Sequence, residues 1–224
     1  MYIICGHYGS GKTNLTINLA LEAASQGKSV TVLDMDIVNP YFRTSDYNHF
    51  MAQHGVHTIE PVFANTTLDT PSLPPQMYAA FDKPGEEVFV DVGGDDVGIK
   101  ALGSMRKQLA DKKPEMIYVI NQYRVLSQTA EESAVLLREI ENSCGLKATA
   151  IINNSHLGVE TTAQTVLDSF AFAEETAKRC GLPLLYSTIP DFAIGSDFKY
   201  KENMNYKIKI IKRYVLFPWE KEPS

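Results

Sequence analysis

Residues 6 to 13 read GHYGSGKT, directly after the apolar run YIIC and directly before NLTINLALEAA, and this one stretch leaves the chain few architectures to choose from. It matches GxxxxGKT, with Gly6, Gly11, Lys12 and Thr13 in place and Gly9 as a further flexible position. Glycines let the backbone fold so tightly that successive N–H groups point inward at one anion. The helix that follows turns its positive N-terminal end to the same place. Lys12 is then set to reach the β- and γ-phosphates of a nucleotide, and the Thr13 hydroxyl to bind Mg²⁺. Without ligand, the lysine is expected to face solvent. Ser10 and Asn14 complete the expected phosphate-contacting set.

Such a loop needs a strand before it and a helix after it, and the sequence continues in that alternation. Strand-length apolar runs fall at Tyr2 to Cys5, Ser29 to Leu33, His57 to Phe63, Glu87 to Val92, Met116 to Ile120, Ala148 to Ile152 and Leu184 to Ile189. Several are near-continuous in Val, Ile and Tyr, as strands buried on both faces should be. Between them, helical spacing covers Lys12 to Gln26, Gln76 to Phe81, Ile99 to Asp111, Ser127 to Ser143 and Thr161 to Cys180. This predicts an α/β fold: a doubly wound, mostly parallel sheet with helices on both faces. The Pro-rich stretch from Asn65 to Pro75 is expected to be irregular. No repeat or linker divides the 224 residues, so a single domain over 1–224 is expected.

Two strands end in acids. TVL runs into Asp34-Met35-Asp36, and VFV into Asp91-Val92-Gly93-Gly94. In an open parallel sheet, ligands collect at the carboxyl ends of strands, so these acids should share a crest with the glycine-rich loop. An Asp closing an apolar strand has the form of an acid that holds a Mg²⁺-bound water, which singles out Asp91. Asp95 and Asp96 are read as loop or capping residues.

On these residues the chain resembles the MinD/ParA/CobQ-type P-loop ATPases, a group that also includes nitrogenase iron protein and CooC-like ATPases. The carrying segments are GHYGSGKT, VLDMDIVNP, VFVDVGGDD, and IINNS followed by STIPD, over residues 1 to about 195. The resemblance implies a Mg²⁺-dependent ATPase. Lys12, Asp36 and Asp91 would be its catalytic residues, Thr13, Asp36 and Asp91 would serve the metal, and Asn153 would contact adenine, with Pro190 and Asp191 in the base-pocket loop. Asn153 offers both a donor and an acceptor, which suits the adenine edge, and the guanine motif NKxD is absent. Asn154 is the neighbouring alternative.

One position departs from the family. MinD- and ParA-type loops carry a second lysine that reaches across a nucleotide-sandwich dimer, and His7 stands there instead. Arg43 becomes an alternative cation. Nucleotide-dependent homodimerisation is therefore open, as is the identity of a protein partner or cargo. Two other functions remain alongside a nucleotide-driven switch: an ATP-binding regulatory module with negligible turnover, and an ATP-dependent small-molecule ligase or kinase of the dethiobiotin synthetase-like kind.

Composition narrows the setting. Lys plus Arg number 21 against 27 Asp plus Glu, a net charge of −6, which gives no strong nucleic-acid signal. Three widely spaced cysteines read as reduced thiols, no run is long enough to span a membrane, and a cytoplasmic location is expected. Near the C-terminus, Tyr200, Met204, Ile208, Ile211 and Val215 recur at spacings of three and four. This predicts a terminal helix near 200–215, docked on the sheet with a basic outer face. Peripheral membrane contact by that helix is the lesser alternative.

Overall fold

The apolar runs become strands because both of their faces are covered. Along the first, Ile3 and Cys5 pack to one side of the sheet and Ile4 to the other, under Leu15 of the following helix. The computed structural model describes residues 1–36, 43–60, 75–195, 207–216 and 220. Within these, the strands are β1 (Tyr2–Gly6), β2 (Ser29–Met35), β3 (Val56–Ile59), β4 (Glu86–Val92), β5 (Glu115–Ile120), β6 (Ala150–Asn153), β7 (Leu184–Pro190) and β8 (Ile208–Ile211). They form one sheet in the order β3-β2-β4-β1-β5-β6-β7-β8, and each described ladder is parallel. The direction of winding reverses around β1, which lies between β4 and β5. A crevice therefore opens at its carboxyl end, where the glycine-rich loop begins.

The helices are α1 (Lys12–Ser25), α2 (Asn48–Gln53), α3 (Pro75–Ala80), α4 (Asp96–Ser104), α5 (Arg106–Ala110), α6 (Ala130–Cys144), α7 (Ala163–Asp168) and α8 (Phe170–Cys180). On one face, α1 covers Ile4, Ile117, Val119 and Ile152. On the other, Met77, Leu102, Leu137, Ile140 and Ala173 of α3, α4, α6 and α8 pack on Ile3, Val90, Tyr118 and Ile151. This is the doubly wound sheet that the sequence predicts.

Three expectations change. The helix expected at Ser127 starts at Ala130, because Thr129 and Glu132 cap it reciprocally. The long element expected from Thr161 to Cys180 breaks at Ser169, whose hydroxyl donates to Val166 O at 2.7 Å and accepts from the Asn153 amide. The terminal helix is the largest correction: residues 208–211 form strand β8, while Tyr200 and Met204 lie outside the described residues. The run KIKII alternates Lys and Ile, the β-branched residues favour an extended chain, and the backbone completes a ladder on β7. Ile208 joins Val166, Phe170 and Ile189, so the strand is held by packing as well as by the ladder. The Pro-rich stretch over 65–74, and residues 61–63 of an expected strand, lie outside the described residues.

Candidate functional site

The loop from His7 to Gly11 joins β1 to α1, turning through Ser10 N–H donating to His7 O at 3.1 Å. Gly9 and Gly11 hold φ of +74° and +81°, the left-handed region open to glycine at little cost. Lys12, the first residue of α1, donates from Nζ to His7 O at 3.1 Å. It is only 7% exposed, which corrects the solvent-facing expectation. Burial lowers its pKa, and the Asp91 and Asp36 carboxylates oppose that shift.

Register places the acids. The β2–β4 ladder sets Asp34 beside Asp91, and Asp36 follows at the end of β2. Asp34 accepts from Asp36 N–H at 2.9 Å and from Ser45 N–H at 2.8 Å, so it shapes the turn that carries Asp36. Asp91 Oδ2 accepts from the Thr44 hydroxyl, while Oδ1 is buried with no partner among the described residues. Burial first, and then Asp34, push the Asp91 carboxyl up to about 7; the Thr44 hydroxyl, Lys12 and the Thr13 hydroxyl pull the other way. Past β4, the loop at Gly94 lies against the phosphate loop so closely that a Cβ there would stand 2.6 Å from Tyr8 N. Asp95 caps α4, its Oδ1 accepting from Val97 N–H and Gly98 N–H.

A cavity of about 260 Å³ opens beside this loop. Lys12, Thr13, Asn14 and Asp36 line it, as do Pro190, Phe192, Ile211 and Val215. Several expected residues thus meet there, but not all. Asn153 is 0% exposed and spends its amide internally: Nδ2 donates to Ser169 Oγ and Ser187 Oγ, and Oδ1 accepts from Ser155 N–H and Oγ. It has no group left for a base. Asn154 lines the cavity but is tied to the loop, donating to Ser10 O at 2.7 Å. Asp191 is exposed and accepts from Phe192 N–H; it does not line the cavity. Arg43 is not among the lining residues, and its guanidinium stands 3.9 Å from Asp46.

Four contributors escaped the sequence reading: Thr44, Arg124, His156 and the segment 211–215. That segment is fastened to α1 by two asparagines one turn apart. Asn14 and Asn18 donate to Lys212 O, Lys212 N–H donates to Asn18 Oδ1, and Tyr214 N–H donates to Asn14 Oδ1. Only the pairing across almost 200 positions of sequence reveals it. For Arg124, the available signal was its place just past the carboxyl end of a strand.

His156 gives the site a pH dependence of its own. Burial, then Arg124 and Arg213, push its pKa down to about 4, and its Nδ1 accepts from Gly158 N–H, which a protonated ring cannot do. A histidine depressed when folded contributes fully above its unfolded value near 6.5, and that contribution is lost as pH falls toward 4. His156→Gln keeps an acceptor without the titration. Between pH 7.5 and pH 5, wild type should therefore lose up to about 2 kcal/mol of stability relative to this variant. Paired denaturant melts at the two pH values measure it, and parallel losses would refute it.

Comparison with known proteins follows the same lines. The family model for the CobQ/CobB/MinD/ParA nucleotide binding domain matches residues 2–159. No curated protein sequence matches the chain. Among solved structures, the chain is similar to the cell division protein FtsY of Thermotoga maritima (TM-score 0.58, 20% identity, 84% of this chain and 60% of that one). It is also similar to chloroplast FtsY of Physcomitrella patens (TM-score 0.58, 15% identity, 83% and 57%). A third is the signal recognition particle 54 kDa protein of Aeropyrum pernix in complex with GDP (TM-score 0.54, 20% identity, 83% and 40%). The chain spans less than two thirds of each of these proteins, and at such identities the likeness is one of fold.

Proposed function

Because this chain belongs to the CobQ/CobB/MinD/ParA nucleotide-binding domain family, we propose that it binds ATP with Mg²⁺, hydrolyses it, and acts as a nucleotide-driven switch on a protein partner. The observation that carries this reading is the convergence of Lys12, Thr13 and Asp36 on one cavity, with Asp91 buried behind them. Lys12 binds the β- and γ-phosphates from within the loop, and Asp36 orients the attacking water. The donor set fits a hard divalent cation: the Thr13 hydroxyl and the Asp91 carboxylate, whose Oδ1 is buried without a partner among the described residues. Bound there, Mg²⁺ would offset negative charge on the phosphates. Turnover without a partner is slow in this reading, because His7 is half-buried and burial lowers its pKa, so it does not supply the charge of the family's second lysine.

The base lies toward Pro190, Phe192, Ile211 and Val215. Among the lining residues the carboxylate is Asp36, at the phosphate end. Guanine presents adjacent N–H donors that call for an acid, whereas backbone groups can meet adenine's single donor and neighbouring acceptor. A guanine nucleotide is the second reading, favoured by the GDP-bound structural neighbour. ATP should compete at least about tenfold better than GTP, the worth of one well-made base-edge pair at ~1 to 3 kcal/mol. Displacement of a fluorescent nucleotide by each decides between them. Equal competition would remove the adenine assignment.

No helix among the described residues is long and apolar enough to cross a membrane.

A further inference from the structure

We propose that Arg124 is a phosphate-binding residue of this site, supplying from within the same chain a second cation beside Lys12. The inference rests on the nucleotide reading above and concerns a residue that neither the loop motif nor the strand-end acids include.

The loop after β5 is built to hold one side chain in place. Asn121 Oδ1 accepts from Tyr123 N–H and His156 N–H, Asn121 O accepts from Arg124 N–H and Ser127 Oγ, and Gln122 N–H donates to Ser155 Oγ. From this frame Arg124 reaches the glycine-rich loop, and its Nε donates to Gly9 O at 2.8 Å. The fit is close: a Cβ on Gly9 would stand 3.0 Å from that nitrogen. The side chain also lines the cavity with Lys12, Thr13 and Asp36.

Charge pairing separates Arg124 from Arg43, Arg179 and Arg213, and its place in the cavity lining separates it from Arg106 and Arg138, which also form no ion pair among the described residues. Arg43 stands by Asp46, Arg179 by Glu131 and Glu175, and Arg213 by Glu220. No acid within ion-pair distance of Arg124 is found among the described residues, although it lines the same cavity as Lys12. Its charge also helps to lower the pKa of His7 and of His156. A guanidinium whose Nε is spent on a loop carbonyl still has four N–H donors on its two Nη atoms, arranged as a fork that matches two phosphate oxygens. A lysine could hold the carbonyl or the phosphate with comparable strength, but not both in that geometry.

The test is equilibrium binding of ATP, ADP and AMP, with Mg²⁺, to wild type, Arg124→Gln, Arg124→Lys and Lys12→Ala, each checked for folding by thermal melting. Arg124→Gln should weaken ATP by about tenfold to a hundredfold, the worth of one to two charge-assisted hydrogen bonds. AMP should weaken less, so that the preference for ATP over AMP shrinks; Arg124→Lys should recover part of it. An unchanged preference, with ATP and AMP weakened equally or not at all, overturns the assignment and leaves Arg124 a clasp on Gly9. Wild type that binds no nucleotide, or ATP affinity indifferent to Lys12→Ala, would overturn the nucleotide reading and this inference with it. Affinity lost in Lys12→Ala but kept in both Arg124 variants would overturn this inference alone.

Discussion

Lys12→Ala is expected to lose ATP affinity by about a hundredfold or more while the protein still folds. In the proposed reading Lys12 binds the β- and γ-phosphates from the head of α1, and two charge-assisted hydrogen bonds at ~1.5 to 3 kcal/mol each set the size of the loss. Folding is a separate question, because the ammonium is buried rather than solvated and lies near Asp91 and Asp36. Removing it takes away a cation that holds the Asp91 proton affinity down. Burial already holds that carboxyl up to about 7, so Asp91 can take a proton near neutral pH and no uncompensated buried charge need remain. Calorimetric titration reads the affinity and a thermal melt reads the fold. A folded variant with wild-type affinity would sink the phosphate-loop assignment.

Asp36→Ala should do the opposite: ATP affinity within several-fold of wild type, and kcat lower by about two to four orders of magnitude. Asp36 lines the cavity at 8% exposure, and its backbone is held by the bond from its N–H to Asp34. Its backbone is thereby tied to the end of β2, which suits a group that orients water in the transition state. Such a role adds little to ground-state binding, so the loss should appear in kcat. Initial rates at saturating ATP, measured beside a binding isotherm, give both numbers. Retained turnover would move the role to another acid, with Asp91 first in line.

Much of this was legible in the order of residues. The loop needs glycine where φ is positive and a lysine at the helix head, and both requirements are local, so GHYGSGKT declares them. The doubly buried strands are local too, because a strand covered on both faces must be apolar along its length. The acids at 34, 36 and 91 follow from where those strands end. Asn153 and the C-terminal segment were not legible in the same way. Whether Asn153 can meet a base depends on Ser155, Ser169 and Ser187 saturating its amide, and Ser169 and Ser187 come from other elements of the fold.

Residues 207–216 satisfy a helical count and a strand alternation at once. The choice fell to β7, whose free edge offered a ladder, and to Asn14 and Asn18, which accept and donate to the passing backbone. Arg124 is the same case in charge: an arginine four residues past a strand is common, and its reach to Gly9 O exists only once β1 and β5 lie side by side. Sequence alone determined the features set by the conformational limits and hydropathy of neighbouring residues. Tertiary structure decided which polar groups remain free to meet a ligand, because hydrogen-bond saturation and charge pairing depend on partners brought together from distant parts of the chain.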